Sequence, residues 1–169
     1  MLSIAVQPPA RARPGAILYP PLVVRLSSEH DLYEHLAGYW TCISLIHYAT
    51  SEVIYDQMNG KVADSAHPIA QTRSRGVRDQ AYFFFPDLTI HGTGRYRLRI
   101  SLMRMDYSPE SGPDGAVICD EQMDTRSITV EETGPNYSRP SEYSQNLYWE
   151  MYLTNRRRFS RTCIHSNGT

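Results

Sequence analysis

The stretch GRYRLRISL, Gly94 to Leu102, sets Arg95, Arg97 and Arg99 alternately with Tyr96, Leu98 and Ile100. Side chains along an extended strand point to opposite faces in turn. This period of two therefore packs the apolar set on a core and leaves three guanidinium groups on the other side. The first reading of that polar side is a solvated face, and the second is a strand facing phosphate.

The remaining pattern is mostly short strands punctuated by turn residues, which points to a sandwich or a barrel. Leu22–Leu26 (LVVRL) is short and β-branched, a good strand after Pro20-Pro21. Trp40–Thr50 (WTCISLIHYAT) is mixed apolar and suits a buried strand. Tyr82–Phe85 is an aromatic strand that Pro86 confines to a strand end or an edge. SPESGPDG, Ser108–Gly115, is a turn-rich acidic loop, followed by short strands at Val117–Cys119 and Ser127–Val130. Between Ser141 and Leu153 the pattern changes. Ser141 can cap a helix with Glu142 in its first turn, and Leu147, Tyr148 and Met151 form one apolar stripe. One helix near the end of a mostly β domain is expected, followed by the tail NRRRFSR.

At 169 residues, 41% hydrophobic and 21% charged, the composition is that of one globular domain with its own core. The net charge of -1 conceals an uneven distribution. Met1 to Arg104 holds 11 Lys/Arg against 8 Asp/Glu, Met105 to Thr154 holds 2 against 10, and the last fifteen residues hold four arginines and no acid. Sixteen of the seventeen basic residues are Arg, Lys61 being the exception. Arg is the better group for bidentate phosphate contact, and a GC-rich genome gives the same bias.

Cys42, Cys119 and Cys163 are odd in number and widely spaced, so neither a disulfide framework nor a zinc site is expected. The N-terminus lacks the continuous apolar core of a signal peptide, and nowhere do eighteen apolar residues run together. A reducing compartment, cytoplasm or nucleus, and no membrane contact are the expectation. The sequons at Asn136 and Asn167 then count as accidental.

Enzyme signatures are missing: no GxSxG elbow, no Walker loop, no GxGxxG and no HExxH. His47 lies inside an apolar run and reads as a satisfied core histidine, and His91 precedes Gly92 in a turn. Neither a catalytic group, a metal, a cofactor nor a small-molecule substrate is expected.

Binding is the better class. The basic residues form three groups: Arg11 with Arg13, then Arg73 with Arg75 and Arg78, then Arg156, Arg157, Arg158 and Arg161. The first two groups lie on expected loops, which carry binding function because a rigid scaffold positions them. Prolines on either side of Arg11 and Arg13 lower the entropy lost on ordering, and a stiff loop projecting guanidinium groups suits phosphate or base-edge contact. Each group also reads as solvated surface or internal ion pairs. The tail arginines suit a helix C-terminus, with a nuclear-localisation signal as a weaker alternative.

Two blocks resemble a known family. Gln7-Pro8, Ala10-Arg11-Ala12-Arg13 and Pro20-Pro21-Leu22-Val23-Val24-Arg25-Leu26 resemble the opening of the fungal velvet domain. Phe83-Phe84-Phe85-Pro86-Asp87-Leu88-Thr89 followed by Gly94–Leu102 resembles that family's central hairpin, and Tyr48-Ala49-Thr50 matches the end of its early core strand. The resemblance covers roughly Val6 to Leu153.

It implies an immunoglobulin-like β-sandwich similar to the Rel-type DNA-binding domain, spanning residues 6–153 with a C-terminal helix, then a basic tail over residues 154–169. It also implies a nuclear regulator, exchanging with the cytoplasm, that governs fungal development, sporulation and secondary metabolism. Such a protein binds double-stranded promoter DNA through basic loops, here Arg11, Arg13, Arg73, Arg75 and Arg78, as a homo- or heterodimer with other velvet proteins. The alternative is a velvet-type dimerisation module with little DNA contact of its own, which the acidic stretch Met105–Thr154 favours. The chain departs from the family pattern in three places. Pro14–Tyr19 is short and uncharged where relatives carry several more basic residues, so fewer phosphate contacts are expected. Glu131–Tyr152 matches loosely. Leu18-Tyr19 is expected to be an exposed apolar pair suited to protein contact.

Overall fold

In a computed structural model describing residues 1–28, 38–68 and 79–133, GRYRLRISL lies in a 13-residue strand, Gly94–Asp106. The described residues belong to one compact unit, Met1–Ser138. A second unit, Arg139–Thr169, lies outside them, and with it the helix expected over Ser141–Leu153 and the NRRRFSR tail. Arg73, Arg75 and Arg78 also lie outside the described residues.

In chain order the strands begin with β1 (Leu2–Val6), β2 (Arg11–Ala12), β3 (Leu22–Ser28), β4 (Tyr39–His47), β5 (Met58–Asn59) and β6 (Ala63–Ser65). They continue with β7 (His67–Pro68), β8 (Asp79–Phe85), β9 (Thr89–Ile90), β10 (Gly94–Asp106), β11 (Ala116–Asp124) and β12 (Ile128–Val130). One sheet has the order β1-β3-β8-β7 and is antiparallel throughout. The other runs β2-β12-β10-β4-β6, and β11 pairs with the far half of β10. β5 and β9 make a short separate ribbon. The chain is mostly β, as its turn-punctuated pattern requires.

Both sheets bury alternate residues. β3 sends Leu22, Val24 and Leu26 inward opposite Phe85, Phe83 and Ala81 of β8. From the other sheet, Leu45 of β4 faces Leu98 of β10, and Ile43 faces Ile100. All ten belong to one hydrophobic cluster. Burying a large apolar side chain contributes about 1.5–3 kcal/mol, and this sets the register. A slip of one residue would turn Arg95, Arg97 and Arg99 into the core. The aromatic strand ends at Phe85, and Pro86 follows outside the ladder.

A buried acid also fastens one sheet to the other. Asp64 of β6 accepts the Phe84 backbone N–H of β8 at 2.7 Å, Lys61 Nζ at 2.6 Å and His67 Nε2 at 3.0 Å. Burial works against its ionised form. The bonds from His67, Lys61 and the Phe84 amide outweigh that and hold the carboxyl below its usual value.

Candidate nucleic-acid interface

Gln7 to Pro21 contains five prolines, Pro8, Pro9, Pro14, Pro20 and Pro21, which remove donors and exclude a sheet interior. The remaining backbone groups find partners on both sides. Ala10 and Ala12 carbonyls accept from Thr129 N and Glu131 N at 2.9 and 3.0 Å, while Gly15 N and Leu18 N donate to Ile90 O and Leu88 O at 2.8 Å each. Gln7 Oε1 accepts from Arg126 N at 3.2 Å. Between these attachments Arg13-Pro14-Gly15-Ala16 forms a turn closed by Ala16 N to Arg13 O at 3.2 Å. Gly15 sits at φ +71°, where a Cβ is disfavoured. Proline then glycine at its two central positions meets the demands of a type II turn.

Two expectations for this segment are corrected. Arg11-Ala12 is not loop: it pairs in parallel with β12, Arg11 with Thr129 and Ala12 with Val130. The pleat buries Ala12 and turns Arg11 to solvent. Nor is Leu18-Tyr19 an exposed apolar pair. Leu18 is only 2% exposed and joins the core, Tyr19 is half-buried, and the exposed apolar residue is Ile17. Leu18 turns inward because its N–H is tied to Leu88, next to the buried Ile90.

The five arginines singled out from the sequence are not all brought together in view. Arg11 and Arg13 project from this segment, both exposed, and Arg73, Arg75 and Arg78 lie outside the described residues. Arg11 donates from Nε to Glu131 Oε1 at 2.8 Å, and its terminal nitrogen reaches the same oxygen. The cation is therefore half-answered while still 57% exposed.

The arginines of β10 occupy the outer face, as alternation demands. The Arg95 guanidinium lies 3.7 Å from the Tyr48 ring centre and donates to Ser127 Oγ at 3.2 Å. Arg97 lies 4.6 Å from the same ring centre and 3.8 Å from Asp124. Arg99 grips Asp124 with two bonds, at 2.9 and 3.2 Å, which raises the pKa of its guanidinium. This face is thus solvated and internally paired at once.

Among the described residues, five of the eight acids after Met105 have partners within the domain, Asp124 and Glu131 among them. Asp120 pairs with Arg104 at 2.9 Å, Glu121 accepts Leu2 N at 2.8 Å, and Asp106 accepts Ser111 Oγ at 2.6 Å together with two bonds from Ser108. The Ser111 bond, above all, lowers the Asp106 carboxyl below its usual value. These carboxylates repel a duplex less than their number implies.

His47 also corrects its expectation. It is exposed at the end of β4, with Nδ1 near Thr50 Oγ1 at 3.3 Å, and is not a core residue. His91 lies in the link between β9 and β10, with Nε2 3.0 Å from Asn59 Nδ2. Among the described residues no three His, Cys, Asp or Glu side chains are grouped as a metal site, and no helix is long and apolar enough to cross a membrane. Sequence reasoning missed Tyr48 and Glu131 as partners of the arginines, since both meet them through the fold.

No protein-family model matches the chain, and no curated protein matches it.

Proposed function

We propose that the chain is a velvet-type transcriptional regulator. In this reading the domain is an immunoglobulin-like β-sandwich similar to the Rel-type DNA-binding domain, completed by a C-terminal helix. It binds promoter DNA in the nucleus, as a homo- or heterodimer with other velvet proteins, and controls fungal development, sporulation and secondary metabolism. Two sheets around one core suit that fold. So does Tyr96, near the start of β10, whose hydroxyl donates back to Thr93 O at 2.9 Å in the manner of a tyrosine corner.

The observation that carries the reading is the lacing of residues 10–18 to β12 and to Leu88–Ile90. A segment already ordered presents Arg11 and Arg13 with little further entropy to lose on binding. Arg73, Arg75 and Arg78 complete the proposed contact. The test is binding of promoter DNA across a salt series by the full chain and by Arg11→Ala/Arg13→Ala. Two lost phosphate contacts should flatten the slope of log K against log salt by about two. Unchanged affinity and slope would remove both residues from the contact.

The Arg11–Glu131 pair favours a second reading, a velvet-type dimerisation module that leaves most DNA contact to its partner. A gel shift that requires an added velvet partner, and is insensitive to Arg11 and Arg13, would select it.

A further inference from the structure

The strand register joins two sets of arginines that are far apart in sequence. Thr129 of β12 pairs with Arg11 on one side and with Arg95 on the other. Paired residues on neighbouring strands send their side chains to the same face, and the alternate pairs confirm the phase: Ala12 with Val130, and Tyr96 with Ile128, are all buried. Tyr48 N donates to Arg95 O at 3.0 Å and carries the row past the end of β4. Arg11, Thr129, Arg95 and Tyr48 therefore form one line across the outer face, and Arg97 and Arg99 extend it along β10. Arg11 and Arg95 stand two strand spacings apart, about 10 Å.

Charge on this face is unbalanced. Among the described residues, the ion-pair partners of Arg11, Arg97 and Arg99 are two carboxylates, Glu131 and Asp124, and Arg95 has none. Arg99 takes Asp124 with both of its bonds, so at 3.8 Å Arg97 has only a loose hold on that acid. The contacts of Arg95 are a hydroxyl and a ring. At an exposed site a ring contributes about 0.5–1 kcal/mol to a cation and occupies the flat face of the guanidinium. Ser127 takes one N–H of Arg95, whose other donors remain for contact with phosphate. Tyr48 also keeps both long side chains from collapsing elsewhere, which reduces the ordering cost of binding. Ser127 and Thr129 add hydroxyl groups of the kind that contact phosphate.

We infer that the outer face of the larger sheet, centred on Arg95, Arg97 and Tyr48, is a second contact for the phosphodiester backbone of a DNA duplex, continuous with the N-terminal segment. The inference rests on the DNA-binding reading above and extends the contact from the N-terminal segment across a sheet face. Because this face meets backbone rather than base edges, it adds affinity without sequence preference.

The test uses the full chain and a fluorescent duplex of random sequence, with anisotropy measured from 50 to 200 mM salt, values of about the range over which phosphate contacts dominate. Three variants are compared with wild type: Arg95→Gln/Arg97→Gln, Tyr48→Leu and Arg11→Gln/Arg13→Gln. Circular dichroism and thermal unfolding check that each is folded. The face double variant should weaken binding by about tenfold at low salt and reduce the slope by about two. Tyr48→Leu should weaken it about threefold with the slope retained, since the charges remain. A face double variant with wild-type affinity and slope overturns the inference; if the Arg11/Arg13 variant then still loses binding, the DNA-binding reading survives. Loss in the face variant alone supports the inference and removes the N-terminal pair from the contact. A wild-type chain that binds no duplex at any salt overturns both.

Discussion

Arg11 and Glu131 are 120 residues apart in sequence and share a charged hydrogen bond of 2.8 Å. If Arg11 contacts DNA as proposed, Glu131 competes with a phosphate for its guanidinium. Glu131→Gln is expected to raise duplex affinity about threefold and to steepen the salt slope by about one contact. Folding stability should move little, because exposed ion pairs are worth about 0.2–1 kcal/mol. Anisotropy titration with thermal unfolding checks both, and weaker binding by the variant would show that Glu131 orients Arg11 rather than masking it.

Asp64 makes a pH-dependent contribution of known sign. Its folded carboxyl lies below the ordinary 3.8, so its stabilisation is present above that value and lost as pH falls through the lower folded one. Asp64→Asn is expected to cost about 2–3 kcal/mol near neutral pH, since it weakens bonds to a buried amide and to two basic side chains. In urea unfolding the gap between wild type and variant should narrow below about pH 4. A gap constant down to pH 2.5 would mean that the bonds do not depend on the charge.

Tyr96→Phe should cost about 1 kcal/mol, the worth of the hydroxyl bond to Thr93 O. Burial raises the pKa of this hydroxyl above 10.0, so its contribution holds below that value and is lost as pH rises through the higher folded one. Denaturant midpoints at pH 7 and at pH 10.5 check it: the deficit of the variant should shrink at the higher pH.

Gly60 and Gly112 separate steric from conformational cost. Both have positive φ, but a Cβ at Gly60 would lie 2.4 Å from the Asp87 carbonyl oxygen, whereas at Gly112 nothing lies within 4 Å. Gly60→Ala should destabilise by at least about 2 kcal/mol and Gly112→Ala by about 1 kcal/mol. Equal losses in chemical denaturation would place the Gly60 contact elsewhere.

What could be read from the sequence was local. The alternation from Arg95 to Ile100 and the aromatic strand stopped by Pro86 depend only on neighbours, and both recur in β10 and β8. WTCISLIH is the buried strand its apolar run implies, and only His47 misled, for a definable reason. Ile46 lies on the outer side of β4, but a bridge to Val53 covers it and leaves it fully buried, so the apolar run has no clean period and its exposed end at His47 is hidden. Arg11-Ala12 reads as loop because a two-residue strand gives no repeat. Its partner β12 and its counter-ion Glu131 are supplied by long-range closure, which composition does not encode.

The parallel pairing of β2 with β12 also has a bearing on synthesis. Anchors at Leu88 and Ile90 can engage the emerging N-terminal segment first, but Thr129 and Glu131 leave the ribosome about 120 residues after Arg11, roughly 6–24 s later at ordinary elongation rates of about 5–20 residues per second. Until then Ala12 has no strand to lie against, and Arg11 and Arg95 are not yet aligned. A half-made chain therefore lacks the aligned row of arginines, which exists only once β12 has been made and has closed on β2.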